Sequence, residues 1–197
     1  MRDTEVSPRL RELTLAAAST NHPFRYLFGE VFMPAKKNST GALPRAGRPQ
    51  IPEYGISTSS KGLLPWDWAE KRLKTSREYW MVTTLPNRRP HVMPVWGIWQ
   101  DCAFYFSTGR GTRKARNLAC NPHCIVCNEL AGEAVIVHGR AREVRNAKRI
   151  ADLSKLYSRK YQYPLDPKMG AVYEVTPSLA FGMWERKFPT TATRWKF

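Results

Sequence analysis

The stretch FYFSTGRGTRKARNL, Phe104 to Leu118, decides how the rest of the chain is read. Phe104, Tyr105 and Phe106 are strand formers, and Ser107, Thr108, Gly109 and Gly111 break the run with turn residues. Thr112 is placed to cap a helix that begins at Arg113. A strand end, a turn and a helix start then converge. They bring together the hydroxyls of Ser107, Thr108 and Thr112, free backbone N–H groups, and the charges of Arg113, Lys114 and Arg116. A phosphate suits such a place, because free N–H groups, the helix dipole and cationic side chains all favour an anion. The same residues also read as a solvated basic helix face, and the stretch alone leaves both readings open.

The composition sets the frame. A chain of 197 residues, 42% hydrophobic and 12% aromatic, holds enough apolar material for one ordinary domain with a tail. The net charge of +16 and the pI near 10.1 favour anionic partners without saying which. The basic residues are dispersed, with no run of five or six that would mark a nucleic-acid tail. No apolar stretch reaches the ~18 residues of a membrane span, and Leu13 to Ala18 is too short for a signal-peptide core. The expectation is a soluble, cytoplasmic protein with no membrane association.

Cys120, Cys124 and Cys127 form C-x3-C-x2-C, the spacing by which radical-SAM enzymes hold a four-iron cluster. Two arguments reject it. CIVCNEL reads as a strand, where residues three apart point to opposite faces. The chain also lacks the repeated strand–helix pattern of a βα barrel. Buried, reduced thiols are the expected state of the cysteines, and no metal site is expected; His123 has no second ligand pair at zinc spacing.

Residues 1–60 are interrupted by Pro8, Pro23, Pro34, Pro44, Pro49 and Pro52, and read as an irregular or disordered N-terminal extension. Met33 starts a more ordinary N-terminus, so residues 1–32 are read as a product of start-site choice. Order is expected over residues 61–197. Helical spacing predicts helices from Pro65–Asp67 to Ser76, Thr112 to Ala119 and Asn146 to Tyr161. Strands are predicted at 79–85, 90–100 and 103–107, forming an antiparallel meander, then at 123–129, 134–144, 171–175 continuing to 180–184, and 191–197. Pro94 inside the second strand points to an edge, a bulge or a ligand-facing kink. Six or seven antiparallel strands closing on themselves, with peripheral helices, make a small β-barrel.

From Leu63 to Phe197 the sequence resembles the pyridoxamine 5′-phosphate oxidase-like flavin-binding split barrels. The strand pair YWMVTTLPNRRPHVMPVWGIW, the segment FSTGRGTRKARNLACNP and the terminal ATRWKF carry the resemblance. It implies a split β-barrel homodimer with cofactor at the interface. By match of position, it implies that His91, Val92, Met93, Pro94, Val95 and Trp96 run along an isoalloxazine ring. Ser107, Thr108, Thr112, Arg113 and Lys114 would hold the phosphate, with Arg116 and Asn117 close by. Arg194 and Trp195 would approach the cofactor from the C-terminus. The true oxidases carry basic residues on the strand matching His91–Trp96, whereas His91 is the only ionisable group here, so the resemblance leaves the substrate open. Relatives using the deazaflavin coenzyme F420 share K-x-R-N-L; FMN is the preferred cofactor and F420 the alternative.

The implied activity is that of a flavin-dependent oxidoreductase acting on a small molecule, with no protein group assigned as catalytic. The competing class is a non-enzymatic module, a flavin-binding sensor or a nucleic-acid-binding barrel. Nucleic acid is disfavoured because the aromatics alternate with apolar positions and do not sit beside the charges. Arg140, Arg142, Arg145, Lys155, Arg159 and Lys160 are read as solvated, and His91 and His138 as structural histidines.

Overall fold

The computed structural model describes residues 43–197. The readings made for residues 1–42, including the proposed start at Met33, fall outside these. Three α-helices and eight strands follow one another as β1 (Arg45–Gly47), α1 (Trp66–Thr75), β2 (Glu78–Thr84), β3 (Pro90–Gln100), β4 (Ala103–Thr108), α2 (Arg113–Cys120), β5 (His123–Asn128), β6 (Glu133–Glu143), α3 (Ala147–Tyr161), β7 (Ala171–Trp184) and β8 (Thr193–Lys196).

All strand pairs are antiparallel. β2–β3–β4–β7–β6–β5 close back onto β2, giving a six-stranded barrel, and β8 and β1 extend the sheet from β7. Closure removes most sheet edges. β7 is long enough to serve two partners on one edge: residues 171–175 pair with β4 and residues 179–182 with β8. Where the sequence suggested an interruption at Pro177, β7 runs through with a register shift opposite His138–Gly139. A bulge accommodates the missing N–H. Asp101 and Cys102 both have positive φ (52° and 59°), which makes the β3–β4 connection a two-residue turn whose twist matches the flanking strands.

The barrel interior holds Tyr79, Met81, Val95, Trp99, Phe104, Phe106, Val126, Val135, Val137, Val175 and Trp195, and Leu64, Trp66, Ala69 and Leu73 from in and around α1 join them. A second cluster lies on the outer surface. There Leu153, Tyr157 and Tyr161 of α3 pack on Ile98, Ala103, Tyr105 and Val172.

Residues 43–60 are not uniformly irregular. β1 pairs with β8, and the Arg48 guanidinium donates to the carbonyls of Ser59, Lys61, Thr190 and Ala192 at 2.7–2.9 Å. This side chain ties the segment to the C-terminal loop without any acidic partner. A proline-rich stretch gave no sign of it, because the bonds run to backbone oxygens far away in sequence.

Candidate anion cradle and open strand edge

Thr112 caps α2 as expected: its hydroxyl accepts from the Ala115 N–H at 3.3 Å. Its N–H donates to Gly109 O at 3.0 Å, and the hydroxyls of Thr108 and Thr112 lie 3.0 Å apart. The turn is thereby fixed from within. The N–H groups of Arg113 and Lys114, at the first helical positions, have no intrahelical acceptor.

The Lys114 ammonium is half-buried, and burial alone pulls its pKa below the usual lysine range. Among the described residues no carboxylate forms an ion pair with Lys114 or Arg113. A bound anion would offset that desolvation, which is how a phosphate site differs from a solvated helix face. Arg116 is exposed, and its guanidinium stays on the cradle turn, donating to Gly111 O at 2.8 Å.

The cradle adjoins β3. Arg113 and His91 line one open cleft of about 540 Å³ together with Leu85, Pro86 and Asn87 of the β2–β3 turn. The Thr83 hydroxyl accepts from Asn117 Nδ2 at 3.0 Å and lies 3.4 Å from His91 Nδ1, linking α2 to β3 through β2. Asn117 is buried, so it acts as a strut and not as a direct phosphate ligand. Its Oδ1 is buried without a partner in the chain.

From His91 the strand is open. β3 pairs with β2 over residues 90–96 but with β4 only over residues 97–100. One edge of 91–96 therefore has no partner strand among the described residues. Pro94 sits there as an edge proline, one of the options its sequence position allowed. Val92, Met93 and Trp96 are 48%, 43% and 44% exposed. Val95 is not available: it is buried in the barrel interior, the inward member of the alternation.

The C-terminal pair separates. Trp195 is fully buried, edge-on to Trp66 at 5.4 Å, and lies in the core with no face toward a cofactor. Arg194 is half-exposed on β8, opposite Phe181 of β7, whereas the cradle end of β4 meets β7 at Ala171. Ten strand residues, about 33 Å of extended chain, separate those two points. Within one chain Arg194 is thus remote from Thr108.

Other sequence readings divide similarly. Arg140, Arg142, Arg145, Lys155 and Arg159 are exposed, and Arg142 meets Glu174 at 3.2 Å. Lys160 is not solvated. It is partly buried, and its Nζ donates to Tyr79 Oη and Gly97 O. Cys102 and Cys124 are buried and Cys127 half-buried, but Cys120 is exposed. No group of three or more potential metal ligands occurs among the described residues, and no helix among them is long and apolar enough to cross a membrane. Thr83 and Leu85–Asn87 line or brace this cleft without having been singled out from the sequence, because the approach of the β2–β3 turn to α2 is not local.

The chain belongs to the pyridoxamine 5′-phosphate oxidase family, whose sequence profile matches residues 68–183, more than half of its length. A conserved hypothetical protein of Mycobacterium tuberculosis shares the fold with a TM-score of 0.57 at 16% identity, over 65% of this chain and 89% of the other. A Listeria innocua protein described as a candidate pyridoxamine 5′-phosphate oxidase gives 0.52 at 15% identity, over 59% and 95% of the two chains. A heme-binding protein of Mycobacterium smegmatis gives 0.52 at 14% identity, over 61% and 55%. These likenesses concern the fold alone. No curated protein matches the chain.

Proposed function

We propose that the protein is a flavin-dependent oxidoreductase that binds FMN, with coenzyme F420 as the alternative, and acts on a small molecule. The observation carrying this reading is the shared cleft of Arg113 and His91, which sets a cationic helix start beside a strand edge that has no partner among the described residues, with the half-buried Lys114 next to Arg113. The donor set suits the cofactor: phosphate on the α2 N-terminus and Lys114, planar ring along Val92, Pro94 and Trp96 of the outward face, with the part-exposed His91 and exposed Met93 of the opposite face at the open end of the strand. The bound flavin would supply the hydride chemistry. The chain's own residues bind the phosphate, orient the ring and exclude water. Arg113 and Lys114 hold charge, and Thr112 fixes the helix start that presents its N–H groups.

The same reading includes a homodimer. Two outward rungs cross the barrel: Pro94–Trp80–Cys127–Ile136–Phe181 and Val92–Val82–Ile125–His138–Leu179. None of these residues is buried, and neither packed cluster includes them. Such a flat apolar band, continuous with the open edge of β3, suits a second copy that would complete the ring site and could bring its own Arg194. Mass spectrometry of the small molecule released from denatured protein, made in a host with both cofactors, tests the assignment. Lys114→Ala is expected to lower flavin retention about tenfold or more; unchanged flavin content in that variant would sink the cradle.

A further inference from the structure

Lys160 and Tyr161, the last two residues of α3, sit at the rung where β3 changes partner, and the cofactor reading does not use them. The β2–β3 ladder ends at Glu78↔Trp96, and the β3–β4 ladder begins at Gly97↔Phe106. The next β2–β3 rung would set Arg77 against Gly97. The Tyr161 hydroxyl stands in it instead. It accepts from the Gly97 N–H at 2.9 Å, lies 2.8 Å from Gly97 O, and bonds the Arg77 carbonyl. Lys160 Nζ donates to Gly97 O at 3.0 Å and to Tyr79 Oη at 2.8 Å; that phenol in turn reaches the carbonyls of Leu73 and Ser76.

The adjoining residue is gripped as well. The Trp96 indole stacks on the Tyr161 ring with centroids 4.9 Å apart and planes within 8°, and Tyr157 backs Tyr161 at 4.6 Å. One indole face is thereby covered and the other left to solvent. Packing alone does not call for an ammonium here. A methionine could fill the same space without the desolvation that a partly buried lysine suffers. The polar groups make sense as a device for fixing backbone, since they address the one β3 residue whose neighbours change.

We infer that Lys160 and Tyr161 are positioning residues for the ring-binding edge of β3, fixing Gly97 and holding the Trp96 indole flat beside the cofactor. This rests on the reading that residues 91–96 carry the ring. Without the pair, the segment from His91 to Trp96 is paired with β2 alone, and its far end is held only by the β4 ladder that begins at Gly97.

The test is an FMN titration of the full-length apoprotein, followed by flavin fluorescence, together with visible circular dichroism of the bound flavin. Tyr161→Phe and Lys160→Met are each expected to weaken FMN binding about tenfold, as loss of an anchoring hydrogen bond would, and to change the visible dichroism. Tyr157→Phe, in the same cluster but without a bond to β3, is expected to leave both signals as in the wild type. Lowered melting temperature with wild-type affinity and dichroism would show a merely structural role and overturn the inference. If Lys160→Met does not fold, Tyr161→Phe, which removes one oxygen, decides alone. If the wild-type protein takes up neither FMN nor, in a parallel titration, F420, the cofactor reading itself fails and this inference falls with it. Tight wild-type binding with unaffected variants removes only the inference.

Discussion

Replacing Trp195 separates a core residue from a cofactor contact. The side chain is fully buried, meets Trp66 edge-on with planes at 76°, and depends on Gly182, where a Cβ would come within 2.4 Å of its Cη2. Burying about 200 Å² of indole at about 25 cal/mol per Å² gives roughly 5 kcal/mol as an upper bound. Nε1 finds no acceptor among the described residues, a penalty of about 1–3 kcal/mol that offsets part of it. Trp195→Ala is therefore expected to lose about 3 kcal/mol, in line with large-to-small core substitutions, and about 6–12 °C in Tm. Trp195→Phe removes only about 50 Å², roughly 1 kcal/mol, and abolishes the orphaned N–H. Its Tm should fall by at most a few degrees. Thermal unfolding by circular dichroism measures both, and an FMN titration well below the transition measures cofactor affinity. Affinity in Trp195→Phe should stay within about twofold of wild type. A tenfold loss of FMN affinity with an unchanged Tm would refute the core assignment and return Trp195 to the cofactor site.

Two further outcomes follow from burial. Burial lowers the Lys160 pKa to about 8, with Arg77 pushing the same way and Glu129 and Glu78 opposing. Between pH 8 and about 10 the unfolded chain holds a proton on Lys160 that the folded chain has released, so Lys160 contributes a rise in stability with pH of about 1–2 kcal/mol, opposed by the buried Cys124 thiol, which stays protonated when its unfolded counterpart ionises. Above pH 10 buried phenols reverse the trend: Tyr157 is pushed up to about 12, so it stays protonated when its unfolded counterpart ionises. Urea unfolding from pH 8 to about 10 should show stability rising more, or falling less, in wild type than in Lys160→Met by that amount; equal profiles would contradict the burial argument. Among the thiols, burial pushes Cys124 up to about 12 while Cys120 is exposed. Iodoacetamide at pH 8 should label Cys120 first and Cys124 only after unfolding, as peptide mass spectrometry would record.

The strands and helices were legible because their signals are local. Alternation marked β2, β5 and β6, and Thr112 marked the start of α2. The strand end, turn and helix start around Thr112 were legible for the same reason, lying within one short run. What the sequence withheld depends on sidedness and distant pairing. Val95 and Trp96 are adjacent letters with opposite fates, one inside the barrel and one outside. Trp195 resembled a terminal cofactor contact, but the pairing of β8 with β7 turns it inward. Lys160 resembled its solvated neighbours Lys155 and Arg159 because nothing in helical periodicity reveals that Gly97 O lies above it. Arg48 was hidden most completely, since its partners are four carbonyls and no acidic residue.

Gly97 explains why the open edge can exist at all. β3 must be a barrel strand at one end and an unpaired edge at the other, and the change happens within one residue. On the inner face a Cβ at Gly97 would stand 2.1 Å from Phe104 Cζ, so no larger residue fits while Phe104 fills the core. On the other side its N–H and C=O meet Tyr161 and Lys160. Steric exclusion on the inner face and the two side chains at the β2 edge thus hold the same point from two directions. N-terminal to it, Pro94 lacks an N–H and discourages a further strand from pairing there. The edge is kept open by a proline, anchored by a glycine and fastened by the end of a helix. An exposed strand held that firmly, beside a helix start whose Arg113 and Lys114 form no ion pair among the described residues, is the geometry the proposed cofactor site requires.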